Sequence, residues 1–232
     1  MRSGAGGSRG ITVFVVLVGV LLLASIALAA APQGGVQRVN VAYDGGLAND
    51  EGMGGLAVSA DGRYVAFASS ASNIIEGDTN GQWDIFFRDT ESQETTLVSV
   101  TTSGGFSAGQ ATNYVQMTPD GRYVLFSSFG TDLVPEDTNG YPDVFVRDMI
   151  SQETTRVSTA ADGTQANYYI NGDGSISDDG RFVVFAADAS NLFPGDLNSR
   201  QDCVLKDMQS GVVTNVSYTS AGGLGNGHSF YP

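Results

Sequence analysis

The stretch SADGRYVAF (Ser59–Phe67) recurs as TPDGRYVLF (Thr118–Phe126) and as SDDGRFVVF (Ser177–Phe185). Each copy begins 59 residues after the previous one, so no residue is inserted or deleted between them. An Asp-Gly pair between two apolar runs is the strongest short signal for a β-hairpin. The chain is therefore predicted to contain the same hairpin three times.

The offset of 59 residues extends beyond the hairpin. It relates acidic and amide positions downstream of each copy: Asp78, Asp137 and Asp196; Asn80, Asn139 and Asn198; and Asp84, Asp143 and Asp202. In the first copy the pattern predicts four short strands, at Gly55–Ser59, Arg63–Ser69, Asp84–Arg88 and Thr95–Val100. The second of these strands is almost continuously apolar, which is typical of a strand covered on both faces.

Four antiparallel strands in a fixed period are typical of a β-propeller blade, whereas a β-helix needs shorter coils and a sandwich repeats less regularly. We predict an all-β propeller over residues 31–232. Its repeats 1, 2 and 3 span about 55–100, 114–159 and 173–218, and a lead strand spans 36–42. Propellers typically have about 4–8 blades. We therefore expect a partial propeller whose uncovered end faces make residues 31–232 prone to self-association.

The repeat resembles a known family. The strand motif DGR-[YF]-V-x-F, followed by D-x-N-G-x-x-D-[IV]-F-[FV]-R-D, is similar to the TolB-type, WD-like propeller repeat of exported bacterial proteins, over about residues 37–230. Repeat 3 departs from the pattern at Leu197, at Ser199 and from Cys203 to Lys206. The resemblance implies a scaffold that presents loops to proteins or glycans. Some members of the family carry a separate hydrolase domain.

The amino terminus has the features of a targeting segment. Arg2 and Arg9 precede an apolar run, Ile11–Leu23, whose thirteen residues suit the hydrophobic region of a signal peptide. Ala27-Leu28-Ala29 then offers a small-residue cleavage signal. Residues 1–30 are predicted to be a hydrophobic helix, either a cleaved signal peptide or a retained membrane anchor. Both alternatives place the remainder outside the cytoplasm, in the periplasm, at the cell surface or secreted.

Composition excludes several functional classes. The chain has 25 acidic against 11 basic residues and a net charge of −14, which disfavours binding to nucleic acid. One cysteine and one histidine exclude a disulfide framework and Cys-based zinc sites, and they make a Ser/His/Asp triad hard to assemble. We expect a protein that is not an enzyme, requires no cofactor and contacts a membrane only through its amino terminus.

The strongest candidate for a ligand site is the repeated acidic loop, Asp78-Thr79-Asn80-Gly81-Gln82-Trp83-Asp84. Oxygen ligands at positions 1, 3 and 7 and a bending glycine suit a structural Ca²⁺ ion. The candidate ligands are Asp78, Asn80, Asp84, Asp137, Asn139 and Asp143. The alternative is an Asx turn in which Asp84 is hydrogen-bonded to amides of the loop. Ser199 replaces the glycine in repeat 3, so that copy is expected to bind worst.

Two other residue types have a structural and a functional interpretation. The arginines of the Asp-Gly-Arg turns either cover the blade edge or form a ring for a carboxylated sugar, and the first reading is favoured. Cys203 aligns with Ile85 and Val144 and is expected to pack in the core.

The function that follows is an exported scaffold that binds a protein or an envelope glycan through its loops. The alternative is the propeller portion of a surface hydrolase or peptidase whose catalytic domain is absent from this chain.

Overall fold

A computed structural model of the chain describes residues 36–50, 53–197 and 200–219. The predicted targeting segment at 1–30 therefore lies outside the described residues. The described part belongs to one compact unit, 32–232, and its secondary structure is built from strands. No helix in the described part is long and apolar enough to cross a membrane.

Each repeat folds into one four-stranded antiparallel sheet. The first sheet contains β1 (Met53–Val58), β2 (Tyr64–Ser69), β3 (Asp84–Asp89) and β4 (Glu94–Leu97). The second contains β5 (Ala111–Met117), β6 (Tyr123–Ser128), β7 (Asp143–Asp148) and β8 (Glu153–Arg156). The third contains β9 (Ile170–Ile176), β10 (Phe182–Ala187), β11 (Asp202–Asp207) and β12 (Val213–Asn215). The strands of each sheet pair in sequence order, which confirms the predicted propeller blades.

The predicted Asp-Gly hairpin turn is present in every blade. In the first, the Ser59 amide donates to the Tyr64 carbonyl at 2.9 Å, and Gly62 has a φ of 74°. A left-handed φ favours glycine because a Cβ would clash with the backbone. The equivalent glycines, Gly121 and Gly180, have φ values of 75° and 72°, so the three turns share one geometry.

Neighbouring blades pack face to face through apolar side chains. Ile85 and Phe87 of blade 1 meet Val115 and Phe126 of blade 2, and a second cluster joins blades 2 and 3 in the same way. The turn glycines take part in this packing. A Cβ added to Gly121 would run into the Tyr64 ring of the preceding blade, and one added to Gly180 would run into the Tyr123 ring. The hairpin turns of blades 2 and 3 therefore lie against an aromatic ring of the blade before them.

The prediction of a lead strand at 36–42 is wrong. Residues 36–50 contain only an isolated bridge between Val41 and Leu47, which matches the bridges Val100–Phe106 and Thr159–Gln165 in the later repeats. A fourth strand forms by pairing with a third, as β4 does with β3, and the described residues offer no third strand here. The segment nevertheless covers the apolar face of blade 1, where Val39 and Ala48 pack on Phe67 and Phe86.

Candidate functional sites

The Asp-Gly-Arg turns use their charges within the blade. Asp61 Oδ1 accepts hydrogen bonds from the Ser59 hydroxyl (2.6 Å) and the Arg63 amide (3.0 Å). The Arg63 guanidinium donates to both oxygens of Asp89, at 2.7 Å for Nη2 and Oδ2, and holds the pKa of that carboxyl down at about 2. The later blades contain the same pair as Arg122–Asp148 and Arg181–Asp207. As the favoured interpretation predicts, the aspartate caps the turn, and each arginine pairs with an aspartate of its own blade.

The acidic loop of repeat 1, residues 78–84, is closed by an Asx turn at Asn80. The Oδ1 atom of Asn80 accepts a hydrogen bond from the Gln82 amide at 2.9 Å. Its side-chain amide donates to Asp84 Oδ2 at 2.8 Å and to the Ser107 carbonyl at 2.9 Å. Asn139 forms the same turn in repeat 2. The asparagine oxygens therefore serve the turn, as the Asx-turn interpretation predicts.

The two carboxylates of the repeat 1 loop are buried without a basic partner among the described residues. Asp84 is 1% exposed and accepts a hydrogen bond from the Ser99 hydroxyl at 2.9 Å. Asp78 is 8% exposed, and the Asn80 amide donates to it, but its Oδ1 atom is buried with no hydrogen-bond partner in the described part. Burial raises the pKa of Asp78. Burial, with a smaller contribution from the charge of Asp78, raises the pKa of Asp84 to about 6.

The acidic loop of repeat 2, residues 137–143, has a basic partner. The Arg156 side chain is 8% exposed, and its Nη2 and Nε atoms lie 3.8 Å from Asp137 Oδ2 and Asp143 Oδ2. The Gln165 amide donates to Asp137 Oδ1 and to Asp143 Oδ2, both at 2.7 Å. A positive charge and an amide therefore join the two carboxylates.

The difference between the two loops arises at two aligned positions. Repeat 1 has Leu97 where repeat 2 has Arg156, and Phe106 where repeat 2 has Gln165. In repeat 3 the first position is Asn215, whose amide donates to Asp202 Oδ1 at 3.0 Å, but residues 198 and 199 of that loop lie outside the described residues. Nowhere in the described part do three or more His, Cys, Asp or Glu side chains form a metal-binding group. The calcium hypothesis therefore concerns pairs of aspartates, and it stays a prediction.

A second feature, not anticipated from the sequence, is a groove with a buried arginine. Arg88 on β3 is 6% exposed, and it donates to Thr95 Oγ1 (2.9 Å) and Gln93 Oε1 (2.8 Å). Its Nε atom is buried without a hydrogen-bond partner, and it forms no ion pair with a described carboxylate. Arg88 lines a cavity of about 680 Å³ between the turn at Val41–Gly45 and strand β4. Burial lowers the pKa of the guanidinium, because the charged form loses hydration.

The groove is repeated one blade further on. Arg147 is 8% exposed and donates to Thr154 Oγ1 (3.0 Å) and Gln152 Oε1 (2.9 Å), and its Nε atom also has no partner in the described part. Its cavity measures about 530 Å³. Gln93 and Gln152, which receive these arginines, have φ values of 62° and 61°, a conformation that costs a non-glycine residue free energy. We call these two cavities the arginine grooves.

In the third blade, the side chain at the equivalent position is bound to backbone carbonyls. Lys206 replaces the arginine, and its Nζ atom donates to the carbonyls of Thr159 and Ala160, both at 3.0 Å. Gly211, with a φ of 75°, stands where the other repeats have a glutamine. The alternation of strand β3, which places Arg88 on the same face as the buried Phe86, was the sequence signal that could have revealed the grooves.

One pentapeptide also went unnoticed in the sequence. Gly105-Phe106-Ser107-Ala108-Gly109 fits the G-x-S-x-G pattern of a nucleophile elbow, and a second match at residues 6–10 lies outside the described residues. An elbow requires an exposed serine between a strand and a helix. Ser107 instead lies in a loop, is fully buried and donates its hydroxyl to Asp132. The geometry at Ser107 therefore does not resemble an elbow.

Comparison with known proteins adds similarities of fold. No family model and no curated protein matches the chain. TolB from Acinetobacter baumannii is similar over 70% of this chain and 32% of its own, with 20% identity and a TM-score of 0.44. The β-propeller domain of the Trilobed protease from Pyrococcus furiosus (12% identity, TM-score 0.42) is matched over 70% of this chain and 40% of its own. An oligogalacturonate lyase (VPA0088) from Vibrio parahaemolyticus (12%, TM-score 0.43) is matched over 77% and 46%. The chain thus spans less than half the length of each of these structures.

Proposed function

We propose that this protein is an exported, non-enzymatic β-propeller scaffold that binds a protein or an envelope glycan through its loops. The observation that carries the proposal is the pair of arginine grooves. They are open, they recur at the same place in two blades, and each contains a guanidinium that is desolvated but not paired with a carboxylate in the described part. Export is supported by the targeting features of residues 1–30.

The chemistry of the grooves favours an acidic group on the partner. A buried charge is costly unless it is paired, and guanidinium matches the planar geometry of a carboxylate. A uronic acid of a glycan and an Asp or Glu side chain of a protein both present such a group. The net charge of −14 repels long polyanions, so recognition is expected to be local and to involve one or two carboxylates. This argument also disfavours nucleic acid as a partner.

The absence of enzymatic activity is part of the proposal. The alternative is the propeller portion of a hydrolase or peptidase, and it gains no specific support at Ser107, where the hydroxyl is buried against Asp132. A direct test is hydrolysis of ester, peptide and glycosidic model substrates by the purified full chain. Turnover by the full chain that is lost in Ser107→Ala would contradict the non-enzymatic proposal.

The binding proposal is tested with the full chain in detergent. The probes are uronic-acid oligosaccharides, acidic peptides and their neutral counterparts, with binding measured by calorimetry at two salt concentrations. We expect saturable binding of one acidic probe class and a loss of at least tenfold in affinity in Arg88→Met/Arg147→Met. Both substitutions also remove hydrogen bonds to Gln93 and Gln152, so the melting temperature serves as the folding check.

Lys206→Met is the matched control, because Lys206 occupies the same strand position but is already bound to backbone carbonyls. It is expected to retain the affinity of the unmodified chain. Equal binding of acidic and neutral probes, or an equal loss of affinity in the double arginine variant and in Lys206→Met, would remove the arginine grooves from the binding surface. No saturable binding by any probe would count against the scaffold function itself.

A further inference from the structure

We propose that the acidic loop of repeat 1 is a divalent cation site, with Ca²⁺ held between Asp78 and Asp84, and that repeat 2 replaces this ion by the side chain of Arg156. The proposal is independent of the arginine grooves and of their partner. It narrows the calcium hypothesis from two loops to one.

The first observation is the unsatisfied Asp78. Asp78 is more than nine-tenths buried, and a carboxylate buried to that extent normally has all its oxygens bonded, because an unpaired buried acceptor is costly and more so when it is charged. Asp78 Oδ1 has no hydrogen-bond partner in the described part of the chain, and the aligned aspartates of repeat 2 lie close enough together for the Gln165 amide to donate to both. The two acids therefore repel each other in a place from which water is largely excluded.

The second observation comes from repeat 2, where the same two acids have a cation. Arg156 extends between Asp137 and Asp143 and also donates to the carbonyls of Pro135 and Glu136, both at 3.3 Å. Repeat 1 has the shorter, uncharged Leu97 at this position. The structure thus shows that a positive charge is accommodated beside this aspartate pair, and that repeat 1 does not provide it from its own side chains in the described part.

The donor atoms determine which ion fits. Asp78 and Asp84 offer hard carboxylate oxygens, and no described cysteine or histidine is near, so an alkaline-earth ion is preferred to zinc. Only two carboxylates are available, and Asn80 Oδ1 is engaged by the Gln82 amide, so carbonyls and water must complete the shell. Ca²⁺ accepts such irregular oxygen sets, whereas Mg²⁺ demands a near-ideal octahedron. Sites with few charged ligands bind Ca²⁺ weakly, with a Kd on the order of 10⁻⁴–10⁻³ M.

The chain contains a built-in reporter for this site. Trp83, the sole tryptophan, lies within the repeat 1 loop immediately before Asp84, while the repeat 2 loop has Pro142 at that position. Terbium is a luminescent substitute for Ca²⁺ that is excited through a nearby indole. We therefore expect tryptophan-sensitised terbium emission from the full chain, which excess Ca²⁺ should reverse. At a Ca²⁺ concentration of one hundred times Kd, the unfolding equilibrium should shift about 100-fold towards the native state.

Three variants decide the proposal, each measured as the full chain in detergent after chelation. Asp78→Asn keeps the size of the side chain and should abolish both the terbium emission and the Ca²⁺ effect on Tm. Leu97→Arg installs the repeat 2 arrangement and should do the same. Asp137→Asn is the matched control in repeat 2 and should retain both signals.

Other outcomes overturn the proposal in distinct ways. Equal Ca²⁺ responses that Asp78→Asn and Asp137→Asn each halve would mean that Arg156 does not replace the ion. An unmodified chain with no terbium emission and a Tm insensitive to both chelator and Ca²⁺ would leave only the Asx turn. Loss of the signals in Leu97→Arg with full retention in Asp78→Asn would place the ion elsewhere. Because Asp78→Asn is nearly isosteric, misfolding of Leu97→Arg does not prevent a decision.

Discussion

The acidic loops of repeats 1 and 2 begin from the same residues and differ in how their charge is balanced. Both place two aspartates around an Asx turn, and in both the second aspartate accepts a hydrogen bond from a serine, Ser99 or Ser158. Repeat 2 then adds Arg156 and Gln165, while repeat 1 has Leu97 and Phe106. Duplicated loops can therefore retain the same hydrogen bonds while a few neighbouring positions decide whether the charge of the two aspartates is balanced by a basic side chain.

The largest effect is expected from giving repeat 2 the residue of repeat 1. Arg156→Leu leaves Asp137 and Asp143 without their cation, and removing one partner of a buried ion pair costs about 3 kcal/mol or more. For a chain of this size that lowers Tm by roughly 6–12 °C. The measurement is thermal unfolding with and without Ca²⁺, and Ca²⁺ should restore part of the loss.

Arg38→Leu is the control for that variant, because Arg38 is exposed and the change in charge is the same. It should change Tm very little. If Arg156→Leu were as stable as Arg38→Leu, the contrast between the two loops would not be electrostatic.

The next effect concerns the serines that the loops share. Ser99→Ala and Ser158→Ala each remove the hydroxyl that donates to a buried carboxylate, at a cost of about 1–3 kcal/mol. In chelator, Ser99→Ala should be the more damaging, because Asp84 has no arginine or glutamine partner to compensate. Denaturant unfolding of the two variants measures the difference. A larger loss in Ser158→Ala would show that the partners in repeat 2 depend on that serine.

A smaller effect is expected from the backbone position that immediately precedes each of the two loops. Glu136 has a φ of 57° where repeat 1 has Gly77, with a φ of 87° and open space around it. Gly77→Ala should therefore destabilise by about 1 kcal/mol through its backbone alone, and Glu136→Gly should stabilise by less than that. Both values come from denaturant titration. Stabilisation by Gly77→Ala would mean that this loop relaxes to another conformation.

The smallest effect uses a pair whose charges are balanced in every repeat. The pKa of Asp89 is lowered to about 2, chiefly by its hydrogen bonds to Arg63, so the pair stabilises the native state above the ordinary carboxyl pKa. That contribution is lost as pH falls through the folded-state value. Arg63→Gln should accordingly lower Tm slightly near pH 7 and by much less near pH 2. A deficit that persisted at pH 2 would trace to lost packing of Arg63 on Tyr64, 4.9 Å away.

The repeat, the hairpin turns and the strand order were predictable because each depends on local sequence. Asp-Gly pairs and alternating apolar residues indicate turns and strands within a few positions of the sequence. The boundaries of β2 and β3 agree with the prediction to within one residue, whereas the fourth strand ends at Leu97 rather than Val100. Val100 instead forms an isolated antiparallel bridge with Phe106, on the far side of the turn that follows it.

The features that were missed depend on contacts between distant segments. Arg156 lies about twenty residues from Asp137 in the sequence, and no motif around Arg156 indicates that the two residues pair. Cys203 was expected in the core because it aligns with Ile85 and Val144, yet it is only half-buried, since no described residue packs against that face of blade 3 as the next blade does for the others. Alignment within the chain predicts the role of a position but not what lies against it.

The contact between the hairpin turns of blades 2 and 3 and the tyrosine ring of the preceding blade also limits how closely consecutive blades can approach. Gly121 on Tyr64 and Gly180 on Tyr123 allow the closest approach that a backbone can make to an aromatic ring. Any larger residue would act as a wedge on one side of the interface and rotate the two sheets apart. In a closed ring, the angle between neighbours determines how many sheets complete the circle. Gly121 and Gly180 therefore serve two purposes at once, the turn of their own hairpin and the fit of their blade on the one before it.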